Sequence, residues 1–114
     1  MSSILQDVKK QCGITPEYTH FDDVLIMHIN TAIMTLNQLG VGVPNFTVTS
    51  ADDDWDDLVG SFTDVGGVKT YVGSKVRMLF DPPQASAHAN ALEKNITELE
   101  WRLNVAVDPS QLGE

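Results

Sequence analysis

Two amphipathic stretches separated by a pair of prolines constrain the fold of this chain more than any other feature. The first runs from Tyr71 to Phe80 and meets Asp81-Pro82-Pro83, and the second covers residues 93–105. Proline lacks a backbone N–H and disfavours helical geometry in the residue before it, so the first helix must stop there. The second helix is therefore expected to fold back on the first. Neither stretch carries a catalytic grouping, which favours a protein built to pack and assemble.

The acidic composition excludes several classes of function. Seven basic residues oppose 16 acidic ones, so the formal net charge at pH 7 is −9. A protein that grips nucleic-acid phosphates over a broad surface, or docks on anionic membranes, needs the opposite balance. The apolar runs are too short to span a bilayer, and the N-terminus lacks the layout of a signal peptide. A soluble protein made in the cytoplasm is expected.

Apolar residues at helical spacing predict an all-α fold. The longest stripe begins at Phe21 and ends at Leu36, and glycines at 40 and 42 terminate its helix. In the last helix an apolar seam from Leu92 to Ala106 has the spacing of a helix that packs nearly antiparallel on a neighbour. The predicted helices cover about residues 4–12, 21–36, 51–59, 68–80 and 86–105. We expect a small bundle of three substantial helices and one or two short ones.

Local signals predict where the short elements begin and end. Ser3 and Gln6 have the spacing of a capping box at the start of the first helix, and Gly13 closes that helix. Ser50 is expected to cap the acid-headed third helix. Gly66-Gly67 is expected to loosen the turn before the fourth.

Two further segments complete the predicted organisation. Residues 46–50 alternate briefly and predict a short extended segment, which must pair with a neighbour or lie as an extended loop. Residues 1–107 are expected to form a single helical domain, because no repeat or linker divides them. The polar residues 108–114 are expected to form a mobile tail.

An acidic run is the most conspicuous candidate for chemistry. It places five carboxylates within six residues, at Asp52, Asp53, Asp54, Asp56 and Asp57. A calcium loop that starts at Asp52 requires glycine at its sixth position and a bidentate acid at its twelfth, where this chain has Asp57 and Thr63. The run is therefore interpreted as an acid-rich helix start with a solvated face. An intermediate interpretation is an electronegative patch that matters only when many copies are arrayed.

The remaining reactive residue types lack partners at useful spacing. His20, His28 and His88 are scattered and match no zinc motif, and His28 is interpreted as a core or interface residue on the apolar stripe. Cys12 is the only cysteine, so no intrachain disulfide forms, and it is interpreted as a small buried residue. No metal, cofactor or catalytic residue is predicted.

Aromatic and basic residues near the C-terminus are the candidates for subunit contacts. Trp101 lies beside the apolar seam, so it either wedges into the core edge or anchors an interface, where tryptophan and arginine are over-represented. Tyr71 carries the same ambiguity, and Arg77 and Arg102 add positive charge to this half of the chain. With the acidic run upstream, opposite charges on different faces suit head-to-side packing of identical copies.

Three stretches read together resemble a known family. The first comprises residues 22–32 and 36–42. The second is residues 71–83, which include Phe80-Asp-Pro-Pro83, and the third is residues 98–104, which include Trp101-Arg102. In this order they resemble the head–tail connector, adaptor or head-completion proteins of long-tailed phages and prophages. The resemblance extends from about residue 20 to residue 106, and the acidic run and the tail do not contribute to it.

The resemblance implies a structural role in the virion neck. It implies a helical subunit that forms a ring of about twelve copies beneath the portal protein and extends the DNA channel. A stopper or tail-completion protein docks on the far side, and neither enzyme activity nor a cofactor is implied. By analogy, the tail with Gln111 and Leu112 orders against the portal on assembly. The acidic run is hypothesised to line or rim the channel, so that DNA passes without adhering.

Two other classes of function stay open at this point. An acidic helical protein that binds and inhibits a host protein, as a mimic of DNA charge, is the main alternative. Its binding to a target would be abolished by salt. A small enzyme or metal protein is the third, and a stoichiometric metal in the purified protein would support it.

Overall fold

The computed structural model describes residues 3–107 and is all-α, as the sequence predicts. Five helices follow one another in this range: α1 (Ile4–Gln11), α2 (Asp22–Gln38), α3 (Trp55–Val59), α4 (Val65–Phe80) and α5 (Ser86–Val107). The predicted three substantial helices are confirmed, and of the one or two short helices predicted, two are observed. None of the described helices is long and apolar enough to cross a membrane. The predicted tail, with Gln111 and Leu112, lies outside the described residues.

Helix α4 lies between α2 and α5 and packs along both of them, while α1 packs on α2 and α4. The fold-back predicted from the proline pair is confirmed, with Ile96 and Leu103 of α5 buried against the core. α2 and α5 touch at one end, where Asn104 Nδ2 donates to the Leu39 carbonyl at 3.2 Å. The principal extents of 48 × 35 × 19 Å describe a flat subunit. The outer sides of α2 and α5 therefore flank the central helix.

A buried lysine joins α1 to the start of α2. Ser3 Oγ accepts from the Gln6 backbone N–H at 3.2 Å, which confirms the serine half of the predicted capping box. Gln6 Oε1 has no hydrogen-bond partner among the described residues, so the reciprocal bond of the box is not made. One turn further along, Lys9 is fully buried. Its Nζ lies 2.9 Å from Asp22 Oδ1 and donates to the Pro16 carbonyl at 3.0 Å. A buried ammonium is tolerated only with such partners, so the ion pair fixes the path of the linker between α1 and α2.

The extended segment at residues 46–50 lies as a loop and is held by one side chain. Asn30 Oδ1 accepts from the Val48 N–H at 2.8 Å, and Asn30 Nδ2 donates to the Val48 carbonyl at 3.0 Å. The amide thus satisfies both backbone groups of Val48, which is itself buried. Of the two outcomes predicted for this segment, the extended loop is the one observed.

Two predicted helix starts were wrong. α3 begins at Trp55 rather than near Ala51, and its cap is Asp54, whose Oδ1 accepts from the Asp57 N–H at 3.0 Å. Ser50 instead helps to close the loop before it. α4 begins at Val65 under an Asp64 cap, so Gly66-Gly67 lies in its first turn and not before it. At α3 the aspartate lies nearer to the apolar run than Ser50 does, and at α4 Asp64 lies upstream of the two glycines. In both places the carboxylate starts the helix because it accepts from a backbone N–H group of the first turn.

A buried tyrosine ties α4 to α5. The Tyr71 ring is fully buried, and its hydroxyl donates to Glu100 Oε2 at 2.7 Å. Burial raises the pKa of Tyr71 above its ordinary value of 10.0, and the Glu100 carboxylate adds to the shift because it favours the protonated phenol. Lys75 Nζ lies 4.0 Å from the same carboxylate oxygen. The structure therefore assigns Tyr71 to the core, which decides between the two roles predicted for it.

We expect Lys9→Met to destabilise the fold by about 3 kcal/mol, because it leaves the partly buried Asp22 carboxylate and the Pro16 carbonyl without their partner. Lys10→Met is the matched control, since Lys10 is exposed on the same helix, and a change within about 0.5 kcal/mol is expected. Urea unfolding followed by circular dichroism measures both free energies. Equal losses in the two variants would contradict the role of the buried pair.

We expect Tyr71→Phe to cost about 1 kcal/mol at neutral pH through the lost hydrogen bond. Because its pKa is raised in the folded state, Tyr71 stabilises the fold below pH 10 and loses that contribution as the pH rises further. The wild-type free energy of unfolding should therefore fall more steeply above pH 10 than that of Tyr71→Phe. Urea titrations at several alkaline pH values measure the slopes, with the exposed Tyr18→Phe as control. Parallel slopes for wild type and Tyr71→Phe would refute the linkage.

Candidate assembly surfaces

The outer face of α2 is apolar and uncharged. Val24, Met27 and Met34 are 40%, 59% and 62% exposed, and all three point away from the buried side of the helix. Thr31, also exposed, lies between the two methionines. No charged residue occurs from Val24 to Gln38. We refer to these four residues, 24, 27, 31 and 34, as the α2 outer face.

This face does not stand out in the sequence, where the predicted apolar stripe from Phe21 to Leu36 includes Val24 without separating it from the buried residues. The buried residues of α2 are Leu25, Ile29, Ala32, Ile33 and Leu36. They already form a complete stripe at helical spacing, and the helix is apolar on its other side as well. In such a helix, the spacing of the apolar residues does not show which side is buried in the subunit and which side is exposed. The signal available in the sequence was the absence of charge over 15 residues of a chain in which 20% are charged. His28, expected on the stripe, is half-buried at its edge.

Trp101 is the main exposed aromatic side chain on α5. It is 58% exposed, on the side of the helix opposite to Ile96 and Leu103. Glu93, Lys94, Thr97 and Glu98 line a shallow groove with it. Trp101 therefore does not wedge into the core edge, and its role as an interface anchor stays a prediction. We refer to the five groove residues as the α5 outer groove.

Charged side chains lie next to this groove. Glu98 Oε2 accepts from Arg102 Nε at 2.8 Å and lies 2.6 Å from its Nη2, so the guanidinium is held along the helix surface. Arg77 is exposed near the end of α4, where it lines a separate cavity with Pro83 and His88. The structure therefore places Arg102 close to Trp101, while Arg77 lies apart from both.

The acidic run divides into structural and exposed carboxylates. Asp53 Oδ2 accepts from the Thr49 N–H at 2.8 Å and the Ser50 N–H at 3.3 Å, and Asp54 caps α3. Asp52, Asp56 and Asp57 are exposed. The predicted solvated face therefore consists of three carboxylates rather than five, and the other two shape the loop.

The middle of the run is anchored to α1 by Trp55. Its indole is buried, and Nε1 donates to Asp7 Oδ2 at 2.8 Å. The Ile4 N–H donates to the Asp53 carbonyl at 3.0 Å, and the Lys69 ammonium lies 5.9 Å from the indole centroid. These contacts fix the orientation of the exposed carboxylates relative to the helices.

The described residues contain no cluster of histidine, cysteine and carboxylate side chains that could hold a metal ion. Cys12 is half-buried. Its desolvation, aided by the nearby Asp81 charge, raises the pKa of the thiol. A raised pKa keeps cysteine in its unreactive protonated form.

Comparison with known proteins identifies the family. A family model described as "Phage connector protein" matches residues 4–110, which is almost the whole chain. No curated protein and no solved structure matches significantly. The match begins at the first residue of α1 and extends past the end of α5, so it includes both outer surfaces and the acidic run. The chain therefore belongs to the phage connector protein family and is a component of the virion.

Proposed function

We propose that this protein is a ring-forming subunit of the phage neck. In this role it docks on the portal protein, extends the DNA channel and receives the stopper or tail-completion protein. The family match over residues 4–110 carries the proposal. The role requires no catalytic step and no cofactor, and it needs a rigid subunit with surfaces that other chains can cover.

The surfaces of the subunit support assembly. Three of the eight exposed large hydrophobic side chains within residues 3–107 lie on the α2 outer face, and Trp101 lies on the other flank. Interface cores are depleted of charge and enriched in methionine, tryptophan and arginine. Covering these side chains removes apolar surface from water, which favours association.

The acidic run supports a place beside the DNA. Asp52, Asp56 and Asp57 are exposed together on one rigid loop and helix, and a ring repeats them around its axis. A ring of carboxylates at the channel repels phosphates, so DNA slides past without adhering. The tail at residues 108–114, with Gln111 and Leu112, is proposed to order against the portal.

The first test is the mass of the purified protein by light scattering, alone and mixed with the cognate portal protein. We expect a closed ring or a stoichiometric complex with the portal. Because such surfaces associate weakly without a template, a monomer that assembles only on the portal agrees with the proposal. A monomer that does not bind the portal would refute it.

The second test neutralises the exposed acids. In virions that carry Asp56→Asn with Asp57→Asn, we expect normal particle assembly but slower DNA ejection, because fewer carboxylates repel the DNA. Glu17→Gln with Asp81→Asn is the matched control, since both acids are exposed and lie outside the run. Ejection triggered in vitro is followed by the fluorescence of a DNA-binding dye. Identical rates for the two double variants would place the acidic run away from the channel.

A further inference from the structure

The α2 outer face and the α5 outer groove lie on two different helices that both pack on α4, which suggests how copies pair. We propose that the α2 outer face of one copy receives Trp101 from the α5 outer groove of the next copy. This inference rests on the proposed ring and adds the contact that would build it. The occupant of each surface is therefore a second copy of this chain.

The charge of the protein favours this choice of surface. A chain with a net charge of −9 repels its own copies, and the repulsion is strongest where carboxylates face each other. The α2 outer face is the part of α2 where two copies can approach without that cost. Methionine side chains are flexible and adapt to a large aromatic ring, so Met27 and Met34 are suited to receive an indole.

The spacing of charges supports a particular alignment. Asp23 is exposed one turn before Met27, about 11 Å along the helix axis from the point midway between Met27 and Met34. Lys94 is exposed in the α5 outer groove, about 10.5 Å before Trp101 at 1.5 Å per residue. If the indole packs between the two methionines and the helices run parallel, Lys94 comes opposite Asp23. The same alignment that covers the apolar side chains therefore also pairs two opposite charges.

The position of the two surfaces determines the kind of assembly. A surface that pairs with itself closes a two-fold dimer, whereas two different surfaces pair head to tail and generate a ring or a filament. Here α4 separates the two surfaces. Each copy can therefore contact one neighbour through α2 and another through α5, as a ring requires.

Cysteine cross-linking tests the pairing without removing its apolar anchors. In a Cys12→Ser background, one variant carries Thr31→Cys on the α2 outer face, and another carries Thr97→Cys in the α5 outer groove. Both threonines are exposed. The variants are mixed in the presence of a cysteine-free portal and treated with a short bis-maleimide, and one carries a tag that shifts its mass. A mixture of Glu17→Cys with Thr97→Cys is the control, because Glu17 lies on the exposed linker.

The proposal expects cross-linked dimers of one tagged and one untagged chain in the first mixture, and few products from either variant alone or from the control. Efficient cross-linking of Thr31→Cys with itself would overturn it, since the α2 outer face would then pair with its own copy. No product in the mixture, although light scattering shows a ring, would overturn this contact and leave the proposed function intact. If the unmodified protein neither forms a ring nor binds the portal, the proposed function fails and the contact fails with it.

Exchange of charges tests the alignment. Asp23→Lys and Lys94→Asp should each raise the concentration needed for assembly by about fivefold, because each places like charges together. The double variant should return to within about twofold of the wild type. Glu17→Lys controls for the change in net charge that Asp23→Lys makes, and Lys10→Asp does so for Lys94→Asp, since Glu17 and Lys10 are both exposed. Thermal melts confirm that all variants fold. If the double variant stays as weak as the single ones, the parallel alignment is refuted.

Discussion

The contacts of α1 hold the linker, the start of α2 and the acidic run in fixed positions relative to one another. The helix has only eight residues, too few to be stable alone, but it bonds to three separate segments. Lys9 holds the linker and the first turn of α2, Asp7 holds the Trp55 indole, and the Ile4 N–H holds the loop at Asp53. Most of these bonds are at least partly buried, so each is costly to break. The position of the acidic run relative to α2 and α4 therefore depends on α1.

The sequence predicted the long helices well because each has one decisive physical cause. The proline pair at 82–83 stops α4, and the apolar stripes require a partner helix on the same side. The short elements were predicted less well because several residues compete for the same role. Ser50 and Asp54 are both good N-caps, and only the packing of Trp55 against α1 selects Asp54. The side-chain clamp from Asn30 to Val48 joins residues 18 positions apart, which no local pattern reveals.

The candidate surfaces show a different limit. Tyr71 and Trp101 look alike in the sequence, since both are aromatic residues at the edge of an apolar stripe. The structure buries Tyr71 beneath α5 and leaves Trp101 on the outside. Tyr71 lies on the central helix α4, where its hydroxyl meets Glu100 of α5. Trp101 lies on α5 itself, and the burial of Ile96 and Leu103 turns the opposite side of that helix outward. A residue that contacts another chain has no partner inside its own subunit. The spacing of apolar residues predicts burial within one chain, so it does not identify such a residue.

The negative charge of the protein opposes association of its copies, and its exposed apolar surface favours it. The balance between the two bears on when a connector would assemble. Exposed methionines and an exposed tryptophan favour association at any concentration, whereas nine net negative charges per copy oppose it. At physiological salt, repulsion is screened beyond about 8 Å, so it acts mainly when subunits are already close. In the proposed function, a portal that binds several copies would raise their effective concentration, and a closed ring would give each copy two contacts instead of one. Both effects favour association without changing any single contact between subunits. A subunit with this balance would stay dispersed in the host cell and assemble where the template is.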